Sequence, residues 1–402
     1  MKVLLISGVF PPAPYAEANH AMHLAEALAG HGVEVHVLTA KGAVTEGFPF
    51  RVHALMRGWS WTDLPRFTHF VRECAPDAIL MLYISFMYED HPMATFAPSL
   101  AKAVLPGATF VTQFENVLGV PAHTCPPGTR IVRRLVKQWA GTDGVDFQFG
   151  SLLRDSDHVI VLSGRIEQFL AKQYPLVLAK TVLIPPPPLI PMATEEPSAA
   201  RAAGRAALRI GPDIFTLVFF GYLYKDKGVE TLLRAFQRVR RRERNVRLVI
   251  AGGIAAHLHE ERVAYVKELT QLAATLDIQD DVTWTGNIEW DSAAGSRYLH
   301  AADACVLPFD YGVSMNNSTF AAAAAHGLPI ISTRGPVLEA QFVHGDNVFL
   351  CPPFDPDALA GAIESLVHQP ALRARLAAGA LTMRKEWFSW DRAIERTLAA
   401  LS

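Results

Sequence analysis

A short stretch near the middle of the chain combines residues that could bind an anion. FFGYLYKDKGVETLLRAF (Phe219–Phe236) reads as a strand, a tight loop and a helix. Gly221 would let a ligand approach the strand end, and Lys227 would supply a positive charge. The helix opening near Gly228 would present amides without internal partners. The stretch favours a phosphate site, with an ordinary strand–helix connection as the alternative. The Gly-Lys-Ser/Thr of an ATPase P-loop is absent.

A second stretch, PFDYGVSMNNSTFAAAAAHGLPIIS (Pro308–Ser332), places five alanines after a polar loop. The pattern predicts a helix from about Ser318 to His326, with capping side chains before it and Gly327 as its stop. If two helix N-termini converge, a diphosphate fits between them. Alanines would then let this helix lie close to the sheet and to its ligand. Tight helix–sheet packing without a ligand is the alternative.

Short apolar runs recur on both sides of a proline-rich segment. They are KVLLIS, VEVHVLTA, AILMLY, ATFVTQF, HVIVLS and TVLIP, and then IFTLVFFG, VRLVIAGG, VTWTG, DACVLPF, LPIIST and NVFLCP. Such runs, separated by helical stretches, are typical of parallel strands covered by helices on both faces. IPPPPLIP (Ile184–Pro191) cannot sit inside a helix or central strand, and the polar TEEPSAARAAG after it is the predicted linker. We therefore expect two doubly wound, Rossmann-like α/β domains that face a central cleft. Ligands should bind at the carboxyl ends of the strands, where the strand order reverses.

Length and composition limit the classes of function and the compartments that fit the sequence. The chain has 402 residues, which favours two domains, and a formal net charge of −2 argues against nucleic acid as a partner. The four cysteines, Cys74, Cys125, Cys305 and Cys351, show no paired or metal-ligand spacing, which favours a reduced, cytoplasmic compartment. No apolar run is long enough to span a bilayer, and the N-terminus reads as a buried first strand rather than a signal peptide.

No metal site is expected. Asp155-Ser156-Asp157 reads as a turn before the run HVIVLS, and His257 and His259 lack further ligands at zinc spacing. The basic run RIVRRLVKQWAG (Arg130–Gly141) predicts an amphipathic helix. Peripheral contact with an anionic membrane or a phosphorylated acceptor is one interpretation, and an ordinary exposed helix is the other.

Several segments occur in the order and spacing of glycosyltransferase family 4. They are KVLLISGVFPP, HGVEVHVLTA and DHVIVLSGRIEQFL in the first half, and GYLYKDKGVETLLRAF, LVIAGG, VTWTGNIEW, AADACVLPFDYGVS and AHGLPIIS in the second. The chain thus resembles the retaining, nucleotide-sugar-dependent enzymes of the GT-B fold. The resemblance implies an acceptor-side domain at residues 1–190, a donor-binding domain at residues 205–385, and a terminal helix at residues 386–402 that returns to the first domain.

The resemblance also implies an activity. A hexosyltransferase of this kind moves a sugar, with retention, from a nucleoside diphosphate sugar to a hydroxyl of a small-molecule, glycan or lipid-linked acceptor. Neither a metal nor a cofactor is implied. The predicted donor-binding residues are Gly221, Tyr222, Lys227, Gly312, Val313, Ser314, Met315, Asn316, Asn317 and Ser318. The predicted catalytic residues are Lys227, His20 and Glu115. His20 matches a helix histidine of the family, and Glu115 at a strand end could orient a hydroxyl of acceptor or donor.

The sequence departs from the family pattern at several positions. Tyr222 replaces the arginine of the first loop, although Lys227 matches the family lysine. The paired glutamates, eight residues apart, fall at Ser314 and Ala322. The glycine pair of the N-terminal loop and the histidine after the fourth strand of the first domain are also replaced. A non-catalytic nucleotide-sugar-binding protein and a GT-B enzyme with altered chemistry, such as a phosphorylase, therefore remain alternatives.

Overall fold

Short apolar runs of the sequence form the strands of two separate parallel sheets. The computed structural model of the protein describes residues 1–13, 15–117, 149–254, 259–289 and 291–402. The chain divides into two units, Met1–Pro185 together with Trp390–Ser402, and Pro186–Ser389. The basic run Arg130–Gly141, Cys125 and His257 lie outside the described residues.

The first unit is built on one parallel sheet. Its strands are β1 (Lys2–Ile6), β2 (Glu34–Ala40), β3 (Arg51–Met56), β4 (Ala78–Tyr83), β5 (Thr109–Phe114), β6 (His158–Val161) and β7 (Thr181–Leu183). Its helices up to the second unit are α1 (Ala16–Gly30), α2 (Leu64–Cys74), α3 (Pro92–Thr95), α4 (Ala97–Val104), α5 (Leu152–Asp155) and α6 (Gly164–Gln173), with 3-10 turns at Trp61–Asp63, Ser85–Tyr88 and Pro175–Lys180. Within the described residues the strand order is β3-β2-β1-β4-β5-β6-β7, and every neighbouring pair is parallel. The run AILMLY (β4) is buried along its whole length, because helices cover both faces of the sheet.

The second unit repeats this design. Its strands are β8 (Phe215–Phe220), β9 (Val246–Ala251), β10 (Val282–Trp284), β11 (Ala304–Leu307), β12 (Ile330–Thr333) and β13 (Phe349–Cys351). Its helices are α7 (Pro197–Leu208), α8 (Val229–Arg242), α9 (His259–Thr275), α10 (Ala294–Ala301), α11 (Ser318–Ala325), α12 (Pro356–His368) and α13 (Pro370–Glu386), with a 3-10 turn at Gln279–Asp281. The strand order in the described chain is β10-β9-β8-β11-β12-β13, again all parallel.

Both sheets reverse their strand order at one point. The reversal lies between β1 and β4 in the first unit and between β8 and β11 in the second. The loops after such strands diverge to opposite faces of the sheet, which leaves room for a ligand at the carboxyl ends. The predicted doubly wound α/β architecture with two parallel sheets is confirmed.

The predicted linker is partly wrong, because α7 occupies much of TEEPSAARAAG. Proline is tolerated in the first turn of a helix, where Pro197 lies. The side chain of Arg205, which is 7% exposed, donates to the carbonyl of Ala301 and to the carboxylate of Asp303 (3.2 and 2.9 Å). Gly204 lets α7 lie directly against the backbone of α10 at Arg297. The segment is therefore a packed helix and not an extended connection.

The last helix, α14 (Trp390–Leu401), belongs to the first unit. It packs against α1 and against the strands β4, β5 and β6. Its apolar face, which includes Ile394 and Leu401, is buried there, as is usual for an amphipathic helix.

Three observations bear on compartment and metal binding. Cys74, Cys305 and Cys351 are buried free thiols. Across the residues that the structure describes, no cluster of three or more His, Cys, Asp or Glu side chains could hold a metal ion. In that same part of the chain, no helix combines the length and apolar character needed to cross a membrane.

Candidate functional site

The two sequence stretches that could bind an anion lie in contact at the switch point of the second sheet. We call residues 221–228 the β8 loop and residues 308–317 the β11 loop, after the strands that they follow. Gly221 has a φ of +129°, which favours glycine. A Cβ atom at Gly221 would lie 2.7 Å from Cγ2 of Thr319 in the first turn of α11. Glycine is therefore needed here for α11 to reach the end of β8.

Backbone contacts fix the β8 loop against the end of β11. Gly228 has a φ of +67°, and a Cβ atom there would overlap the carbonyl oxygen of Pro308. The amide of Asp310 donates to the carbonyl of Asp226 (2.9 Å), and the amide of Lys227 donates to the carbonyl of Lys225 (2.6 Å). The two loops therefore form one structure, which includes Lys227.

Lys227 is held by aromatic rings. Its Nζ lies 4.7 Å from the ring centroid of Tyr224 and 4.9 Å from that of Phe309, which is within cation–π range. Its side chain is partly buried. Among the described residues, no carboxylate forms a salt bridge with this ammonium. A fixed cation without a charged partner can bind an anionic ligand.

Acidic side chains lie beside the same loop. Burial, followed by the charges of Glu230 and Asp226, raises the pKa of Asp310. The hydroxyl of Tyr265 donates to Glu230 (2.7 Å), and burial together with this bond raises the pKa of the phenol. The β8 loop therefore lies among charges of both signs. When an anion binds, the positive charge of Lys227 must offset the repulsion from the nearby carboxylates.

Most amides of the β11 loop are already paired. The amides of Gly312 and Val313 donate to the carbonyls of Phe309 and Thr333 (3.1 and 2.9 Å). Two further bonds involve side chains: the amide of Ser314 donates to Asn317 Oδ1 (2.7 Å), and the amide of Met315 donates to Glu339 Oε2 (2.8 Å). This part of the predicted donor-binding set is therefore fixed by the protein itself.

The start of α11 is open. Asn317 stands at the N-cap position, as predicted, but its side chain caps nothing because it bonds back to Ser314. Asn317 O accepts from the amides of Phe320 and Ala321 (2.9 and 3.1 Å). Within the described chain, no acceptor reaches the amides of Ser318 and Thr319, and Thr319 Oγ1 is buried without a partner. The two unpaired amides and the ammonium of Lys227 are the kinds of group that bind phosphate oxygens.

The alanine run packs as predicted from its small side chains. The helix spans Ser318–Ala325, one residue shorter than predicted, and Ala321–Ala324 have no exposed surface. At its end, His326 Nδ1 bonds to the carbonyl of Ala322 (2.7 Å), and burial lowers the pKa of this histidine to about 4. Since Ala322 is fully enclosed, it presents no side chain to a ligand at the position where the family pattern has a glutamate.

In the first unit, the structure brings the two predicted residues together. His20 on α1 and Glu115, directly after β5, form an ion pair with 2.8 Å between Nδ1 and Oε2. Both are buried, at 3% and 8% exposure. The other carboxylate oxygen accepts from Gln113 Nε2 (2.8 Å). We call these two residues the His20–Glu115 pair.

A third titratable group accompanies the pair. Burial raises the pKa of Glu17, one turn before His20 on α1, to about 7, and the charge of Glu115 adds to this effect. Burial alone would lower the pKa of His20, but the charge and hydrogen bond of Glu115 and the charge of Glu17 raise it above the ordinary value. The first-unit site therefore retains protons near neutral pH.

Sequence reasoning missed three of these residues. Glu17 could have been found, because residues three apart share a helix face. Thr319 follows the predicted helix start by one position. Glu339 gave no signal, since its partners lie 24 and 25 residues earlier in the sequence.

Comparison with known proteins identifies the family. The family model described as Glycosyltransferase Family 4 matches residues 18–188, and the model described as Glycosyl transferases group 1 matches residues 214–369. A D-inositol 3-phosphate glycosyltransferase of Kineococcus radiotolerans is 28% identical over 236 residues, which cover 55% of this chain and 51% of the relative. A GDP-mannose-dependent alpha-(1-6)-phosphatidylinositol monomannoside mannosyltransferase of Mycobacterium tuberculosis is 30% identical over 208 residues, which cover 50% and 49%. The chain spans about half the length of the curated relatives it matches.

Solved structures share the fold over the whole chain. The structure of Anabaena HepE in complex with UDP and glucose has a TM-score of 0.71 at 16% identity and covers 100% of this chain and 99% of that chain. The predicted GT-B fold is thereby confirmed. Together the two family models cover most of the sequence, and the protein belongs to glycosyltransferase family 4.

Proposed function

We propose that the protein is a retaining hexosyltransferase that moves a sugar from a nucleoside diphosphate sugar to an acceptor hydroxyl. One observation carries the proposal. The ammonium of Lys227, which has no salt bridge in the described residues, and the open amides of α11 lie on loops that contact each other at the switch point of the second sheet. A fixed cation beside unpaired amides suits phosphate oxygens.

The same groups suit the chemical step. Negative charge grows on the diphosphate as the bond to the sugar breaks, and donors fixed around it stabilise that transition state more than the ground state. Lys227 and the amides of Ser318 and Thr319 would supply this stabilisation without a metal ion. The leaving diphosphate would then take the proton of the acceptor hydroxyl on the same face of the sugar, which gives retention.

The first unit would bind the acceptor. Both carboxylate oxygens of Glu115 are occupied, one by His20 and one by Gln113. Glu115 therefore orients the imidazole, and Nε2 of His20 is the atom left to contact a hydroxyl. A carboxylate that fixes a histidine in this way is common where the second ring nitrogen acts on a substrate.

This role predicts a separation of binding from turnover. His20→Asn should lower turnover by at least about tenfold and leave the affinity for a nucleoside diphosphate within about twofold, because Lys227 and α11 are unchanged. His69→Asn, at an exposed histidine of the same unit, is the control. Transfer assays measure the turnover, and calorimetry measures the affinity for the nucleoside diphosphate. Unchanged turnover in His20→Asn would show that the pair only packs.

The relatives guide the choice of substrates. Their names include an inositol phosphate acceptor, a phosphatidylinositol-linked acceptor and a GDP-mannose donor, and HepE was crystallised with UDP. We therefore propose a nucleoside diphosphate sugar as donor and a small-molecule, glycan or lipid-linked acceptor. The three buried free thiols support a reduced, cytoplasmic setting.

Calorimetry with UDP, GDP and ADP and with their glucose and mannose conjugates tests the proposal. One nucleoside diphosphate should bind clearly more tightly than its nucleoside. Donor hydrolysis and transfer assays, run with and without a chelator, then test turnover and metal independence. NMR of the anomeric proton of the product tests retention. A protein that binds none of the three diphosphates contradicts the proposal.

A second candidate function is a non-catalytic nucleotide-sugar-binding protein. The observation that favours it is the absence of a carboxylate at Ser314 and at the enclosed Ala322. Tight donor binding without hydrolysis or transfer to any acceptor would support this candidate. Turnover that requires inorganic phosphate would instead indicate a phosphorylase.

A further inference from the structure

Glu339 reaches the β11 loop from a distant part of the chain. It lies in the segment after β12, is 9% exposed, and its Oε2 accepts two hydrogen bonds from this loop. One comes from the hydroxyl of Ser314 and one from the amide of Met315, both at 2.8 Å. A carboxylate that accepts two donors in a buried position is a strong anchor, because charge-assisted hydrogen bonds are roughly twice as strong as neutral ones.

The contacts continue from this anchor to the start of α11. Ser314, which Glu339 holds through its hydroxyl, donates its amide to the side chain of Asn317 (2.7 Å). The carbonyl of Asn317 accepts the amides of Phe320 and Ala321. Because the Asn317 side chain is engaged by Ser314, it does not cap the helix. The amide of Thr319, which an N-cap side chain can accept, is thereby left for a ligand, and the amide of Ser318 has no acceptor among the described residues.

The neighbouring backbone holds the two segments in register. A Cβ atom at Gly312 would overlap the backbone of Gly335, so the β11 loop lies directly on the segment that leads to Glu339. The position that the anchor contacts, Ser314, is also one where the family pattern has a glutamate and this chain has none. The carboxylate of Glu339 therefore lies beside the position at which this sequence lacks a glutamate.

We propose that Glu339 is a positioning residue of the donor site: it fixes the β11 loop so that the first amides of α11 stay open to the diphosphate. The role rests on the proposed function, and it acts through Ser314, Met315 and Asn317 rather than by contact with substrate. The opposing interpretation is that the carboxylate occupies the place of a phosphate group and must leave before the donor binds. The two interpretations predict opposite changes in affinity.

Calorimetry on the full chain separates them. The probes are the nucleoside diphosphate that the wild-type protein prefers among UDP, GDP and ADP, and its nucleoside. Glu339→Ala should weaken diphosphate binding at least about tenfold, since two charge-assisted bonds are lost, and leave nucleoside binding within about twofold. Glu339→Gln keeps an acceptor oxygen and should lose less, about threefold. Glu386→Gln, at an exposed glutamate of the same unit, is the matched control. Tighter diphosphate binding by Glu339→Gln would overturn the proposal in favour of a competing carboxylate.

A double-mutant cycle tests whether the role runs through Ser314. Ser314→Ala should weaken diphosphate binding by about threefold in the wild-type background and by much less in the Glu339→Ala background, because the shared bond is already gone. Independent, additive losses would show that Glu339 acts elsewhere and would overturn the proposal.

A measurement without ligand keeps this inference separate from the proposed function. Hydrogen exchange in the ligand-free protein should show that the amides of Ser314 and Met315 are protected in the wild type and lose protection in Glu339→Ala, while the amides of β11 stay protected. If wild-type protein binds no nucleoside diphosphate but the exchange result holds, the function fails and the anchor stands without a donor role. If protection at Ser314 and Met315 is unchanged in Glu339→Ala, the anchor itself is refuted.

Discussion

The β8 loop of the second unit and the His20–Glu115 pair of the first unit each hold a basic side chain, but with different partners. The ammonium of Lys227 lies between two aromatic rings and has no salt bridge in the described chain. The imidazole of His20 is bonded to a buried carboxylate 2.8 Å away. In the described residues, the β8 loop therefore holds a cation without an anionic partner. The first-unit site contains both a basic group and the carboxylate that pairs with it.

This difference separates two kinds of chemistry. An unpaired cation beside open amides gains free energy when an anionic ligand arrives, so its occupancy should depend on phosphate groups and on salt. A buried acid–imidazole pair exchanges protons within itself, so its behaviour should depend on pH. Mutations in the two regions should therefore be distinguishable by the variable to which each responds.

The largest effect is expected from the backbone that shapes the β8 loop. Gly228→Ala should lower the free energy of unfolding by about 3 kcal/mol or more, because the new Cβ would overlap the carbonyl oxygen of Pro308 at a positive φ. Gly286→Ala is the matched control, since Gly286 has a similar φ of +71° but open space around it. It should cost only about 1 kcal/mol. Urea unfolding measures the free energy of unfolding of both variants. Equal decreases would mean that the backbone at Pro308 moves away at little cost and that the two loops do not form one structure.

A smaller effect is expected from the cation itself. Lys227→Ala should weaken nucleoside diphosphate binding by about 1.5–3 kcal/mol, roughly 10- to 150-fold, and nucleoside binding much less. Lys225→Ala removes an exposed lysine two residues away and serves as the control. Calorimetry with a diphosphate and its nucleoside checks the ratio. If both ligands lose affinity equally, the ammonium does not contact the phosphates, and the contrast between the two sites disappears.

The smallest effect is a pH dependence in the first unit. The pKa of Glu17 is about 7 in the folded protein against an ordinary value of 4.5. The stability that its bound proton contributes is therefore fully present below pH 4.5 and is lost as the pH rises to about 7. The raised pKa of His20 acts in the same direction at higher pH.

Glu17→Gln should remove most of this decrease in stability between pH 4.5 and about 7. At pH 8 the variant should be more stable than the wild type by about 1 kcal/mol, after allowance for its partial exposure, and the gap should close near pH 4.5. The titratable groups that interact with Glu17 are Tyr15, His20 and Glu115. Glu26→Gln, on the same helix, should follow the wild-type curve. Thermal unfolding from pH 4.5 to 8.5 provides the test, and parallel curves for Glu17→Gln and wild type would contradict the assigned proton.

Much of the fold could be predicted because its signals are local. AILMLY and DACVLPF are continuous apolar runs, and each contains a strand that is buried throughout. The helix α7 could not be predicted from the same signals. The prolines before it dominate the pattern, and its buried Arg205 finds its partners Ala301 and Asp303 nearly a hundred residues later.

The site shows the same division. Gly221, Lys227 and the start of α11 follow from local spacing. Two features do not. Asn317 has the sequence of an N-cap, but its side chain can reach either the helix or Ser314, and only the folded loop decides between them. Glu339 meets Ser314 only because β11 and β12 are neighbours in the sheet.

The aromatic rings around Lys227 have a consequence for how ionic strength should act on the β8 loop. Dissolved chloride or sulfate competes with an anionic ligand for the ammonium of Lys227. These anions do not compete for the ring faces of Tyr224 and Phe309, which hold the ammonium in place. High ionic strength should therefore weaken the binding of a nucleotide without changing the position of the Lys227 side chain. A nucleoside diphosphate sugar, the donor proposed above, would therefore meet a charge that is already in place.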